Sequence, residues 1–314
     1  MLRANAISST GYQPVNSNHG LVAHATLYGM IAPTFALLAV FCLIPFLWAF
    51  STSMYSVEIG ADPTFVGLAN YHEYLHDPTT LISFRNMFFL TSFAVLVTVI
   101  VPLTIAKMIF SLSSQRASYW YRVLFLAPVV VPSVATQLVW KSLIYGDNGV
   151  VNSFLTTVGL GSWTHAWLSS PSTTLWAVAF VGFPFASGIN VLIYYAGLTS
   201  ISDSVHEAAW LDGATGLRKF LRIDVPLVLS QIKLLTILVI IYGIQGFEGI
   251  LVLTRGGPGF KSMVPGLWMY FNAFSFQKMG YACAVGVVLF ILILALTILN
   301  LKYFRSSEDV QEKK

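Results

Sequence analysis

The chain has 314 residues, of which 56% are hydrophobic and only 10% are charged, and its mean hydropathy is +0.73. Soluble domains carry about 25% charged residues, so this chain has too little charge to cover a water-facing surface. The net charge of +4 is small and indicates no nucleic-acid partner. The composition excludes an ordinary soluble domain and indicates an integral membrane protein.

The apolar residues form continuous runs, which favours helices that cross a lipid bilayer. About 20 such residues span a hydrocarbon core roughly 30 Å thick. We therefore predict an all-α integral membrane fold with a transmembrane domain at 27–303, between tails at 1–26 and 304–314. The six predicted spans are about 27–50, 87–110, 120–143, 174–197, 229–254 and 281–303.

The distribution of Lys and Arg predicts the orientation of these spans in the membrane. Twelve of the 17 Lys and Arg residues lie on one side of the membrane. They are in the two tails, in the connection between spans two and three, in the polar loop 198–228 and its junction with span five, or at the adjoining ends of spans two, three and six. Both termini and this loop are therefore predicted to be cytoplasmic. The first apolar run is too long for the apolar part of a cleaved signal peptide.

The polar loop between spans four and five has an internal pattern of its own. Ser202 or Asp203 offers an N-cap, and Val205–Leu211 is predicted to form a short helix. Gly213 permits a tight bend or the close approach of a partner's backbone. Glu207 lies near the helix start, where the dipole favours it and where it can reach a partner's Arg or Lys. These residues alone support a docking surface and an ordinary solvated loop equally.

The loop resembles the EAA loop of ABC importer permeases. Glu-Ala-Ala is followed by three residues, Gly, nine residues and then Ile223-Asp224-Val225-Pro226, with Val in place of the usual Leu. In that family the loop forms a coupling helix seated in a cleft of the cytoplasmic ATPase. The resemblance implies a type I ABC importer permease architecture. The residues that it implies for ATPase coupling are Glu207, Ala208, Ala209, Asp212, Gly213, Ala214, Phe220, Ile223 and Pro226.

The resemblance extends over about 28–304 and is closest to the carbohydrate (maltose/oligosaccharide-type) branch. Gly67-Leu68-x-Asn70-Tyr71 and Leu253-Thr254-x-Gly256-Gly257-Pro258 are similar to signatures of that branch, although Arg255 and Ser230 depart from it. It implies a bacterial or archaeal cytoplasmic (inner) membrane protein. The partners implied are a second homologous permease, an ABC ATPase dimer, an extracytoplasmic solute-binding protein and a sugar or oligosaccharide.

The sequence contains no phosphate-binding motif of its own. The Gly-rich run at 256–259 lacks the Walker spacing and its Gly-Lys-Ser/Thr ending, so we expect it only to end span five. We therefore predict no catalytic residue and no cofactor in this chain, with ATP and Mg²⁺ bound by the partner ATPase.

Polar side chains within the spans are candidates for solute contact, because such residues are costly in lipid and usually face the bundle interior. Their alternative role is to hydrogen-bond one helix to another. A sugar needs planar hydrogen-bonding groups together with aromatic faces. The predicted solute contacts are Tyr242, Gln245, Glu248, Asn190, Tyr194, Gln137 and Trp140.

Two alternative functions remain open from the residues. His72-Glu73-x-x-His76 has the spacing of a zinc protease site, but Asp77-Pro78 follows it at once, so we expect a short helix in a wet loop and no metal. A glycerol-phosphate or polyamine permease of the same architecture is nearer. The spans have no Arg or Lys cluster for a phosphate, and Glu248 alone is thin support for a cationic solute.

Overall fold

A computed structural model of the chain describes residues 17–58, 60, 62–184 and 187–303, with side-chain environments for 28–300 and 302 of these. Residues 1–16 of the predicted N-terminal tail (1–26) and the predicted tail at 304–314 lie outside the described residues. The chain divides into two compact units, one ending at Ser51 and the other beginning at Thr52.

The described part of the first unit is one helical segment, whose last helix runs one residue into the second unit. It comprises α1 (Ser17–Leu38), a π-helical turn (Ala39–Leu43) and α2 (Ile44–Thr52). Its part from Tyr28 to Thr52 is long and apolar enough to cross a membrane. This matches the predicted first span, although the helix begins at Ser17, within the predicted polar tail.

The second unit opens with a small hairpin and leads into the longest helix. Strands β1 (Tyr55–Ser56) and β2 (Thr64–Phe65) pair antiparallel, and α3 (Ala69–His76) and α4 (Pro78–Phe110) follow. Asp77 caps α4, because its Oδ1 accepts from Thr79 N at 2.8 Å. The helix therefore begins at Pro78, well before residue 87, where the sequence predicted span two to begin.

The third predicted span is bent. Helix α5 (Gln115–Leu126) runs into a 3₁₀ turn (Ala127–Val130), and α6 (Ser133–Val139) ends in a π-helical turn (Trp140–Ile144). The two halves meet at 91°. Pro128 and Pro132 explain the break, since proline removes a backbone donor and crowds the preceding turn.

The structure interrupts the predicted fourth span. After α7 (Val150–Thr157) and a 3₁₀ turn (Gly161–Trp163), α8 (Thr174–Ala179) ends, and a new helix starts only at α9 (Gly188–Thr199). Gly182 has φ +86° and Pro184 follows it, so the chain between the helices cannot stay helical. Hydropathy alone did not reveal this break, because the intervening residues are also apolar.

The polar loop and the fifth span form a chain of short helices. They are α10 (Asp203–Leu211), α11 (Gly216–Lys219), a π-helical turn (Phe220–Asp224), α12 (Val225–Leu227), α13 (Leu229–Gln245) and α14 (Glu248–Leu253). A bend of 70° separates α12 from α13. The predicted span 229–254 is thus broken at Gly246-Phe247, before the Gly-rich run.

The chain ends its described part with α15 (Pro265–Tyr270), a π-helical turn (Phe271–Ser275) and α16 (Met279–Tyr303). In the described part, three continuous segments can cross a membrane, or up to five if each bent pair is one span. The sequence predicted about six. The mostly helical membrane architecture is confirmed, and the one departure from an all-α fold in the described part is the β1–β2 hairpin. The structure breaks the predicted spans three, four and five.

Two cores lie at opposite ends of α4, which at about 1.5 Å per residue is roughly 50 Å long. The α4-start core comprises Tyr74, Met87, Ile244, Ile250, Met263, Val264, Leu267, Tyr281, Val285 and Leu289. The α4-end core comprises Leu103, Ala106, Ile109, Val191, Tyr194, Leu198, Val228 and Leu235. Helices α9 and α13 make the most extensive contacts with α4, and the 202–226 segment lies against its end.

Candidate functional site

The 202–226 segment begins with the short helix that the sequence predicted. Ser202 takes the N-cap position with extended backbone, although its side chain caps no backbone N–H and instead lies 3.0 Å from Ser204 Oγ. Asp203 occupies the first turn, where a negative charge favours the helix dipole. The prediction of a helix ending at Leu211 is confirmed.

Gly213 ends this helix in a Schellman motif. Its N–H donates to Trp210 O at 3.0 Å, and Ala214 N–H donates to Ala209 O at 2.9 Å. Gly213 has φ +70°, a conformation that other residues adopt at a cost. A Cβ at this position would meet no atom of the chain within 4 Å, so the backbone conformation alone requires glycine here.

Helix α10 has one seated face and one open face. Ala209 is buried, and His206 packs its ring 5.7 Å from that of Phe110 at the end of α4. Trp210 and Leu211 are 71% and 79% exposed. Of the residues predicted for ATPase coupling, Glu207, Ala208, Asp212 and Gly213 in this part of the segment are exposed as well. The open face thus combines a carboxylate with two large apolar side chains, which is a surface suited to a protein partner.

The second half of the segment returns the chain to α13. Ala214, Phe220 and Ile223 are half-buried, and Phe220 packs against the α4-end core. Pro226 is exposed in α12, near the 70° bend. The predicted motif residues therefore differ in burial. The exposed ones are Glu207, Ala208, Asp212, Gly213 and Pro226, the half-buried ones are Ala214, Phe220 and Ile223, and Ala209 is buried.

An ion pair joins this segment to α4. Asp224 Oδ2 lies 2.6 Å from Lys107 Nζ, and the Asp224 side chain is 0% exposed. Lys107 also lies over the Phe110 ring, 5.1 Å from its centroid. From the sequence, Lys107 contributed only to the predicted orientation of the spans in the membrane, and Asp224 was only one position of the EAA-like motif. A lysine inside the predicted second span was the signal that could have identified the pair.

His206 is the second polar group at this contact. Neither of its ring nitrogens has a hydrogen-bond partner among the described residues. Burial lowers the pKa of His206, and the positive charges of Lys219 and Lys107 lower it further, against the opposing effect of Asp224 and Asp203. The imidazole is therefore favoured in its neutral form, beside a buried ion pair.

The predicted solute contacts fall into two places. Tyr242, Gln245 and Glu248 are exposed at the break between α13 and α14, so the break carries the polar stripe that the sequence indicated. Gln137 of α6 approaches this break, because its Nε2 would lie 3.1 Å from a Cβ at Gly249. Its Oε1 is buried with no hydrogen-bond partner in the described part of the chain.

The remaining predicted contacts are half-buried or buried. Trp140 is half-buried, with its ring 5.3 Å from that of Tyr145. Asn190 is half-buried on α9, and Tyr194 is 0% exposed within the α4-end core. Tyr194 therefore packs between helices in this conformation and does not reach an open face.

The rings of the His72-Glu73-x-x-His76 sequence are engaged with each other. The two imidazoles stack with centroids 4.1 Å apart, and His76 Nδ1 lies 2.8 Å from His72 O. Glu73 pairs with Lys278 at 3.2 Å. Among the described residues, no three His, Cys, Asp or Glu side chains are grouped as a metal site would require.

Comparison with known proteins gives a family match over most of the chain. The family described as binding-protein-dependent transport system inner membrane component matches residues 99–305. The probable ABC transporter permease protein YurN of Bacillus subtilis (strain 168) is 31% identical over 84% of this chain and 89% of its own length.

Two other relatives carry names that state a solute. The diacetylchitobiose uptake system permease protein NgcF of Streptomyces coelicolor is 29% identical, over 81% of this chain and 75% of the relative. The sn-glycerol-3-phosphate transport system permease protein UgpA of Escherichia coli O157:H7 is 28% identical, over 90% of this chain and 95% of the relative.

A chain of a solved structure has the same fold. It comes from a bacterial alginate ABC transporter in complex with an alginate pentasaccharide-bound periplasmic protein, and it is 21% identical. The TM-score is 0.75, with 90% of this chain and 94% of the other chain covered. The broken spans of this chain are therefore compatible with the fold of an importer subunit.

Proposed function

Because the chain belongs to the family of binding-protein-dependent transport system inner membrane components, we propose that it is a permease subunit of an ATP-driven importer of sugars or oligosaccharides. The observation that carries the proposal is α10, a short helix with Glu207, Trp210 and Leu211 exposed and its other face seated on α4. The chain itself needs no catalytic residue, because a partner ATPase would hydrolyse the ATP.

The proposed assembly contains this chain, a second homologous permease, an ATPase dimer and an extracytoplasmic solute-binding protein. The open face of α10 would occupy a cleft of the ATPase on the cytoplasmic side of the membrane. Both termini would lie on that side, as the Lys and Arg distribution favours. The two permeases would line the path together in the cytoplasmic membrane.

The proposed mechanism is alternating access. A ligand shifts a conformational equilibrium only when it binds one state more tightly than the other. ATP would provide this difference at the ATPases, and the motion of the 202–226 segment would pass it to the permease. Spans that are already broken, at 91° between α5 and α6 and at 70° before α13, offer places where such motion needs little further distortion.

The solute would contact the break between α13 and α14. Tyr242 offers an aromatic face, and Gln245 and Glu248 offer planar hydrogen-bonding groups, all exposed on the chain. Gln137 adds a buried amide oxygen that lacks a donor among the described residues. Trp140, Asn190 and Tyr194, which are half-buried or buried in this conformation, would contact the solute where the path opens beside them.

A glycerol-phosphate solute is the second candidate, because one relative is named for that transport. The residues favour a sugar, because none of the four side chains at the break is a cation that could pair with a phosphate. The four side chains concerned are Gln137, Tyr242, Gln245 and Glu248. The two candidates separate in one experiment. The complex is purified with its binding protein, and the solutes that stimulate its ATPase are identified from neutral oligosaccharides and glycerol phosphate.

The docking role is tested by Glu207→Lys in the intact complex. We expect solute uptake to fall at least tenfold while the permease remains in the membrane, because a like charge would meet the cationic partner of Glu207. Asp62→Lys, at another exposed carboxylate, is the matched control and should transport normally. Normal uptake by Glu207→Lys at normal expression would refute the docking role.

A further inference from the structure

Asp224 is the only fully buried carboxylate among the residues that the structure describes. Its Oδ2 is 2.6 Å from Lys107 Nζ, whose side chain is 21% exposed, and its Oδ1 has no donor in the described part of the chain. A buried ion pair adds little net stability, because desolvation offsets the attraction, and apolar replacements are often equally stable. Stability alone therefore gives no reason for this pair.

Among the described residues, this is the one ion pair between α4 and the 202–226 segment, and it lies beside apolar contacts such as that of Phe220 with the α4-end core. Lys107 lies in the last turn of α4, and Asp224 is the last residue of the π-helical turn, two positions before Pro226. Ring contact between His206 and Phe110 is the neighbouring link. Apolar surfaces can slide past one another, whereas separating a buried ion pair leaves an unpaired buried charge, which is strongly destabilising.

Helix α4 continues unbroken from this pair to the other end of the unit. At its start, Asp77 Oδ2 accepts from Trp268 Nε1 and from Tyr281 Oη, both at 3.1 Å. These donors belong to α15 and α16. Helices α4 and α13 both reach the two cores, and α4, which contains Pro102, extends further, as far as Asp77. The α5–α6 and α12–α13 segments are sharply bent, so α4 is the continuous helix that links the ion pair to α15 and α16.

We propose that the Lys107–Asp224 ion pair is the point at which a displacement of the 202–226 segment enters α4. Helix α4 then carries the displacement to the α4-start core, through Asp77 to α15 and α16. Both residues act as positioning residues, because neither touches the ATPase or the solute. This inference rests on the proposed function, since it needs an ATPase that moves the segment.

The test measures transmission directly and needs no solute. Hydrogen–deuterium exchange is recorded for the full complex, without nucleotide and with ATP plus vanadate, on the natural chain and on Lys107→Met/Asp224→Leu. This double variant removes both charges and leaves no unpaired ion, so it separates coupling from stability. Lys278→Met, which breaks the exposed pair with Glu73 at the other end of α4, is the matched control.

In the natural chain we expect ATP plus vanadate to change amide exchange about tenfold both in the 202–226 segment and at the α3–α4 junction, residues 74–84. In the double variant the change should remain in the segment and be lost at the junction. The Lys278→Met control should respond at both places.

Two results would overturn the inference: an equal response of the junction in the double variant and the natural chain, or no junction response in the natural chain. A natural chain whose 202–226 segment does not respond refutes the proposed function itself. If the double variant does not assemble, the same exchange experiment is run on the reversed pair Lys107→Asp/Asp224→Lys and on each of these substitutions alone. A junction response that is larger in the reversed pair than in either single variant supports the inference, and a response that is no larger refutes it.

Discussion

The two ends of α4 are held by different chemistry. At its start, one carboxylate is satisfied by neutral donors, because Asp77 accepts from Thr79 N, Trp268 Nε1 and Tyr281 Oη. At its end, a carboxylate faces an ammonium group, and Asp224 Oδ1 and both His206 nitrogens have no hydrogen-bond partner among the described residues. Satisfied polar networks rigidify a core, whereas incomplete ones leave alternatives nearly as stable. We infer a start that is fixed to α15 and α16, so that the three helices move together, and an end that is movable relative to the 202–226 segment.

The largest effect is expected where a buried charge loses its partner. Lys107→Met leaves the Asp224 carboxylate buried alone, which should lower the free energy of unfolding by about 4 kcal/mol. Chemical denaturation in detergent measures the loss. The apolar double variant should recover most of it, and a single variant as stable as the natural chain would show that the end is not held by charge.

Asp77→Ala tests the fixed start. It removes the cap of α4 and the acceptor for two side-chain donors, so we expect a loss of about 3 kcal/mol in the same measurement. Asp62→Ala, at an exposed carboxylate in the nearby loop, should change little. Should Asp77→Ala prove as stable as Asp62→Ala, the contrast between the two ends would fail.

Gly213→Ala tests the bend after α10 at a smaller cost. The alanine has room but must adopt φ near +70°, so we expect a loss of about 1 kcal/mol and a less firmly ended helix. Gly161→Ala is the matched control, because that glycine also faces open space and has no positive φ. Equal stability of the two variants would remove the conformational requirement at Gly213.

The smallest effect concerns pH at the movable end. Because burial and two lysines lower the pKa of His206, protonation opposes the folded state. Above the ordinary pKa of histidine, about 6.5, His206 is neutral in both the folded and the unfolded protein, so it does not make stability depend on pH. As the pH drops below that value, the unfolded protein takes up a proton at His206 before the folded protein does, and the free energy of unfolding falls. His206→Gln should therefore lose less stability between pH 7.5 and pH 5.5 than the natural chain. Parallel pH profiles of unfolding would contradict this.

Sequence reasoning was accurate where the information is local. The α10 helix and its glycine stop follow from local residue types, and the structure contains both. The predicted stripe of Tyr242, Gln245 and Glu248 is exposed, but the break at Gly246-Phe247 divides it. Sequence reasoning failed where a break is itself apolar. The interruption between Ala179 and Gly188 has no hydropathy signal, and only Gly182 and Pro184 indicated it.

The sequence by itself determined that this chain is a helical membrane protein and which family its polar loop resembles, because composition and motif spacing are properties of the chain alone. Only the tertiary structure decided that Lys107 pairs with Asp224, that Tyr194 is buried and that Ala209 is the seated residue of α10. Lys107 and Asp224 are far apart in sequence, and the distance between two such side chains depends on how the helices pack. The EAA-like loop can therefore be recognised from its residues, but its attachment to α4 cannot.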